Sequence, residues 1–356
     1  MLKLMYRGIS AKILHVNDPS SSSKLRVTIF GGSSQLCPSI GSLLGYLGAQ
    51  LSFPTRTSSK WIDYLKTTTA YKHVAIPQHI DYKTPGVIDR LIDTSNVVIS
   101  LIGSKQYLRD SDLIYEANVT VPKLIAEAVE RSQDVQRFIH FSAVGVDPNS
   151  TSTRLRTKWI GEQEVRAACP EVTVMRPTLI FGEVDNFVSR IGLIHRMLGY
   201  VPVIGDATER RQPIFHMDVA HAVVNALRMP DTAGKVFELG GPHVYSEKEI
   251  LEIIFNKIGY PPLLKSVPYK TASRFYGWVP HVHGFTRHYS LDMVQESQMD
   301  LVVGKDALGI DQLYVKPVAF PQNLMRILSD YQAKVDLTME ETEHGYGGGN
   351  DRYFSP

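Results

Sequence analysis

The chain is poor in the groups that would place it in several large functional classes. It has two cysteines in 356 residues, Cys37 and Cys169, in no CxxC or other zinc spacing. A disulfide framework and a thiolate metal site are therefore excluded as organising features, and the thiols read as those of a reducing compartment. It has no dominant charge: 38 Lys+Arg stand against 36 Asp+Glu, a net charge of +2, too balanced to advertise a nucleic-acid partner or an acidic polymer. HExxH, GxGxxG, GxSxG and P-loop patterns are all missing, so zincin, nucleophile-elbow and NTPase chemistries have no residues to run on. There is no internal repeat. The longest uncharged stretch, residues 27–55, could span a bilayer by length alone, but Gly31, Gly32, Gly41, Gly45, Gly48, Pro38 and five serines interrupt it. It reads as buried soluble core.

What is present is the composition and rhythm of a layered α/β protein. Apolar residues make up 43% of the chain, enough for a large core. Short β-branched runs at residues 25–30, 50–53, 73–76, 97–101, 137–141 and 172–175 alternate with helical spacing, clearest over residues 112–131, where Leu113, Ala117, Leu124 and Ala128 share a stripe with Ile114, Val121 and Ile125. Buried-type strands alternating with helices predict a doubly wound, mainly parallel Rossmann sheet. After about residue 181 the alternation weakens, although residues 213–227 and 246–258 keep a strand-helix and a helix pattern. The expected organisation is an N-terminal arm over 1–24, a nucleotide-binding domain over 25–180, a smaller C-terminal α/β lobe over 181–335 interleaved with the sheet, and a Gly-rich tail over 336–356. The arm carries Lys3, Arg7, Lys12 and Lys24 against Asp18 alone, the cation-rich, acid-poor character of a mitochondrial presequence, or else of a disordered arm.

The first strand runs into Gly31-Gly32-Ser33-Ser34-Gln35-Leu36-Cys37, the position at which a dinucleotide fold binds pyrophosphate on backbone N–H groups at a helix N-terminus. A GxxGxxG turn keeps only Gly31 here, with Ser34 and Cys37 at the other two places. Ser34 either displaces a pyrophosphate by a side chain's width or hydrogen-bonds it through its hydroxyl. After the second strand, where an NAD site places an acid, stands Arg56, so a cofactor would be NADP(H); the alternative is a solvated loop cation. Asp81, after the third strand, and Leu101-Ile102-Gly103, at the end of the fourth, flank the expected adenine and ribose-phosphate. The acid–base pair of a short-chain dehydrogenase is a Tyr with Lys four residues later, and none of the 17 tyrosines has one. Ser142 closes the fifth strand and Lys158 lies on the next helix, but Arg154 occupies the tyrosine's place. Arginine keeps its proton and cannot serve as that group, so no catalytic residue and no metal ligand is assigned. Lys158 reads either as a ligand for ribose hydroxyls or as a surface lysine.

SNVVISLIG at 95–103, RFIHFSAVGV at 137–146, RLRTKWIGEQEVRAACPEVTVMRPTLIFGEVDNFV at 154–188, RRQPIFHMDVAHAVVNAL at 210–227 and GKVFELGGPHVYSEKEIL at 234–251 together resemble the NADPH-containing accessory subunits of mitochondrial respiratory complex I, an atypical short-chain dehydrogenase family. The resemblance covers roughly residues 25–330. It implies a non-catalytic, matrix-side subunit, peripheral to the inner membrane, docked on other complex I subunits where the peripheral arm meets the membrane arm near the quinone site, and holding a structural NADPH. Arg56, Asp81, Gly103, Ser142, Lys158 and Pro177 match positions that line the cofactor in that family. Its turn is written GATGFLG, from which Ser34 and Cys37 depart. Under the same resemblance the aromatic, His-rich run over 275–289 becomes a surface for partner subunits or lipid headgroups, the alternative being a packed loop. The retained Ser142 and Lys158 keep open a soluble NADP-dependent reductase or epimerase. A related quinone-biosynthesis factor is a third reading.

Overall fold

The structure is a computed structural model that describes residues 25–56, 60–68, 73–104, 110–182, 187–278 and 290–329. The presequence-like arm, most of the 275–289 run and the Gly-rich tail lie outside the described residues. Seven parallel strands form the main sheet: β1 (Arg26–Phe30), β2 (Gln50–Ser52), β3 (Val74–Ala75), β4 (Val97–Ser100), β5 (Arg137–Phe141), β6 (Thr173–Pro177) and β11 (Val236–Leu239), in the order β11-β6-β5-β4-β1-β2-β3. Winding goes one way from β1 to β3 and the other way from β4 onward. The reversal lies between β1 and β4, in register from Val27↔Val97 to Phe30↔Ser100, and opens a crevice at their carboxyl ends.

Alternate residues of each strand point to opposite faces, and both faces are apolar, as expected for a sheet covered on both sides. Ile29, Ile99, Ile139 and Met175 pack with Ile40 and Leu44 of α1 (Cys37–Tyr46) on one face. Val219, Ala220 and Val223 of α7 (His216–Arg228) join them there. Phe30, Val98, Phe138 and Val174 meet Ile88 and Ile92 of α2 (Val87–Ile92) on the other face. Ile125 and Val129 of α4 (Val121–Arg131) and Val165 of α5 (Thr153–Ala168) complete that layer. α7 and β11 thus belong to the main sheet although they follow residue 181. Before α7 and after β11 in the chain, short strands pair outside the sheet: β7 (Ile180–Phe181) with β10 (Ile214–Phe215), β8 (Val201–Ile204) with β13 (Leu264–Val267), and β9 (Arg210–Arg211) with β12 (Tyr245–Ser246). α6 (Val188–Leu198), α8 (Glu247–Ile258) and α11 (Leu324–Leu328) bury a separate cluster around Phe181, Ile191, Ile254, Phe255 and Phe320. Ser246 begins α8 with a capping box to Glu249. α9 (Tyr269–Trp278) and α10 (Leu291–Glu296) follow. Among the described residues, no helix is long and apolar enough to cross a membrane.

The helix expected over 112–131 is interrupted. α3 (Ser111–Tyr115), capped by Asp110 through the N–H groups of Asp112 and Leu113, passes into a π-helical turn, Glu116–Thr120, before α4. Pro122 accounts for this: it has no N–H for the carbonyl four residues back, that of Asn118, and its ring crowds that oxygen. The Asn118 carbonyl faces Gly161 of α5 so closely that a Cβ there would lie 1.8 Å from it. Gly161→Ala should therefore force the two helices apart and cost about 3 kcal/mol or more in urea unfolding. At Gly86, φ is +73° with open space around the Cβ position, and Gly86→Ala should cost only about 1 kcal/mol of backbone strain.

Candidate functional site

A cleft of about 710 Å³ opens at the carboxyl ends of β1, β4, β5 and β6 and continues into the α6–α8 side of the molecule, large enough for a cofactor-sized ligand. Its floor is built by ladder extension. Leu101 N–H donates to Phe30 O at 2.9 Å, Ser142 N–H to Met175 O at 2.8 Å and Val144 N–H to Pro177 O at 3.1 Å. These bonds carry strand geometry into the residues that face the opening. Gly31, Ser33, Ser34, Gln35, Leu36, Arg56, Leu101, Ile102, Gly103, Ser142, Lys158 and Pro177 all line the cleft. Asp81 does not. Its carboxylate accepts from Lys83 N–H at 3.0 Å and the Thr84 hydroxyl at 3.2 Å, closing its own exposed turn. The next residue lines the cleft instead: Tyr82 donates its hydroxyl to Pro54 O at 2.8 Å and sets its ring edge-on to Phe30.

Gly31 is irreplaceable on geometry. Its φ is +94°, and a Cβ would stand 2.9 Å from the Leu101 carbonyl carbon, so the turn can pass close to β4 only without a side chain. Ser34 settles its ambiguity locally: its N–H donates to Gly31 O at 2.9 Å, while its Oγ accepts from Leu36 N–H at 3.3 Å. The hydroxyl thus occupies a donor at the start of α1. Cys37 is fully buried against the core and burial pushes its thiol pKa up, so it acts as a small packing residue rather than a nucleophile. Pro38 sits in the first turn of α1, where its missing N–H does no harm. Arg56 is largely exposed at the rim, 3.8 Å from Glu116, which also accepts from Lys83 at 2.9 Å.

At the centre of the cleft the Lys158 ammonium sits over Gly103, 2.9 Å from where a Cβ would be, and makes no hydrogen bond among the described residues. Burial first, and the Arg154 charge second, push its pKa down to about 8, against the pull of Glu162 and Glu296. His140, behind it on β5, is held neutral by burial and by Lys158, its pKa pushed down to about 3. The Ser142 hydroxyl is buried without a hydrogen-bond partner. An orphaned buried hydroxyl, an unbonded ammonium and a glycine turn lining one cleft fit the ribose and phosphate oxygens of a dinucleotide. Asn118 supports this wall from the π turn, accepting from Ser104 N–H at 2.7 Å and donating to Ser104 Oγ and Thr157 Oγ1. Its signal in the sequence was Pro122, four residues on.

Arg154, one helical turn before Lys158, points to the far end of the cleft and is fixed there. Its Nε and Nη2 donate to the two Glu296 oxygens at 2.8 and 2.7 Å, with Glu296 buried and Arg154 largely so. The Ser152 hydroxyl donates to Glu296 at 2.9 Å. Asp292 accepts from the N–H groups of Thr153 and Arg154 at 2.7 and 3.2 Å, so α10 caps α5 from 138 residues away in sequence. Buried Arg211 holds α10 from beneath, donating to the carbonyls of Glu296 and Met299 and pairing with Glu247. Among the described residues there is no cluster of acids, histidines and cysteines able to hold a metal.

The parallel sheet, the switch-point cleft and the glycine turn define a dinucleotide-binding α/β protein of the short-chain dehydrogenase kind, and the chain belongs to the NAD dependent epimerase/dehydratase family, which matches residues 52–240. It is 29% identical to NADH dehydrogenase (ubiquinone) 1 alpha subcomplex subunit 9, mitochondrial, of Arabidopsis thaliana, over 84% of this chain and 76% of that protein. It is likewise 29% identical to the protein of the same name from Mus musculus, over 91% of this chain and 85% of that one. Among solved structures, a dTDP-glucose 4,6-dehydratase from Streptomyces venezuelae with NAD and TYD bound shares the fold with a TM-score of 0.66 and 16% identity, over 86% of this chain and 97% of that chain.

Glu296→Gln should leave the Arg154 charge buried with half its partner gone and lower stability by about 3–5 kcal/mol in denaturant unfolding, whereas replacing both Arg154 and Glu296 by Met should recover most of the loss. Lys158 gives a pH signature. Its folded pKa lies below its unfolded value of 10.5, so the unfolded chain holds more protons between about pH 8 and 10.5 and stability rises through that window. The cost is fully present below pH 8. In nucleotide-free protein at pH 7, Lys158→Met should therefore raise stability by roughly 1–3 kcal/mol, and the difference from wild type should vanish near pH 10.5.

Proposed function

We propose that the chain is a non-catalytic accessory subunit of mitochondrial NADH:ubiquinone oxidoreductase, complex I, that holds NADP(H) as a structural group. The observation that carries this reading is the fate of the acid–base position. A cleft with the outline of a nucleotide site ends in Arg154 bound to Glu296, a pair that cannot relay a proton at neutral pH. The names and extents of the relatives support the choice of assembly.

In this reading the turn from Gly31 to Leu36 receives the pyrophosphate, Ser142 and Lys158 meet ribose oxygens, and Arg56 faces the 2′-phosphate. A bound NADP(H) would supply hydride chemistry, but this chain offers it no proton donor where a substrate would react. The ligand instead fills polar gaps between α1, β4 and α5 and links them to α10. Asp81 enters only as a support of the loop that carries Tyr82. Partner subunits lie at the junction of the peripheral and membrane arms on the matrix side, near the quinone site, and the 275–289 run is the segment proposed to touch them or lipid headgroups.

On native gels of mitochondrial membranes the protein should comigrate with NADH:ubiquinone activity; a free pool at low mass would count against the assignment. Arg56→Ala should weaken NADPH binding about tenfold and leave NADH binding nearly unchanged. The retained Ser142 and Lys158 favour one other reading, a soluble NADP-dependent reductase or epimerase, which requires substrate-dependent NADPH oxidation by the isolated chain.

A further inference from the structure

Lys158 combines features that a cofactor ligand alone does not need. The ammonium lies in a cleft open to solvent, over Gly103, whose missing side chain leaves room for it. It makes no hydrogen bond among the described residues, which leaves no acceptor anchoring its protons. The Ser142 hydroxyl, buried and unpartnered, lines the same cleft. The charged groups that face it are Arg154 and Glu162 from its own helix and Glu296 from α10, with His140 neutral on β5 behind it. Glu296 is committed to Arg154 and Glu162 to Arg176, at 2.7 Å in each case, so neither acid forms a close pair with the amine. A lysine partly withdrawn from water near another cation, with no acid paired to it, is an arrangement that favours the neutral, nucleophilic amine over the ammonium.

We propose that Lys158 is a covalent capture site for small aldehydes when the cleft holds no nucleotide. Its nitrogen lone pair attacks the carbonyl carbon while the Ser142 hydroxyl donates a hydrogen bond to the carbonyl oxygen. The carbinolamine then loses that oxygen as water, together with both hydrogens of the amine, leaving an imine. No oxidant or reductant is consumed, and water reverses the step. The dehydrogenase tyrosine would have placed a neutral group one helical turn before the lysine. Arg154 places a cation there, so the substitution that removes the acid–base group also favours the free amine.

The test uses the full chain stripped of nucleotide, with glyoxylate as the aldehyde and cyanoborohydride to trap the imine as a stable secondary amine, mapped by peptide mass spectrometry over a range of pH. Lys158 should be modified about 20-fold faster than exposed Lys248 and Lys270 at pH 7, with a rate midpoint near pH 8. Modification no faster than at those two lysines, or a midpoint near the ordinary 10.5, would overturn the proposal. Saturating NADPH should slow the reaction at Lys158 alone. Selective modification that NADPH fails to slow upholds the amine and counts against the nucleotide reading.

Discussion

Two charged side chains from distant parts of the chain, Arg154 and Glu296, meet where little water reaches, and the cleft is arranged around that contact. Burying two ions is costly, and their attraction compensates only when the geometry is good and the remaining polar atoms find partners. Here the pairing is two-pronged, Ser152 adds a third donor, and Asp292 caps the helix that carries Arg154. The contact therefore fixes the angle between α5 and α10. Those two helices supply Lys158 on one side of the cleft and Met293 and Glu296 on the other. The pair joins those two walls by a polar and specific contact.

The same contact decides the chemistry. A proton-relaying residue at position 154 would need freedom to approach a ligand and a pKa near neutrality. A guanidinium clamped by a carboxylate has neither. Arg154 is thus a structural group, while Gly31, Ser142 and Lys158 line the cleft in forms suited to phosphate and ribose. This division favours the retention of a binding site without turnover.

Much of this is legible in the residues alone. The strand runs were readable because each is short, apolar on both faces and closed by Gly, Pro or polar residues, and the β1 turn was readable because Gly31 must take a positive φ there. Lys158 and Arg154 could be placed by spacing alone on one helix. The bond that gives Arg154 its role could not be, because Glu296 is 142 residues away and lies on a six-residue helix with no strong period of its own. The side-chain direction after the third strand was not legible either: Asp81 turns to Lys83 and Thr84, and Tyr82, the next residue, lines the cleft. The π turn at Glu116–Thr120 escaped the apolar stripe because a one-residue bulge barely changes the stripe, although Pro122 marked it.

The account rests on a dehydrogenase scaffold that holds its dinucleotide for assembly, and the most direct measurement is acid extraction of the native assembly followed by identification and counting of the released nucleotide. It predicts about one NADPH per chain, in the same redox state before and after sustained NADH oxidation by the assembly. Recovery of no nucleotide would show that the Ser34 turn has closed the site, and recovery of NADH that changes state with turnover would contradict both the Arg56 assignment and the structural role.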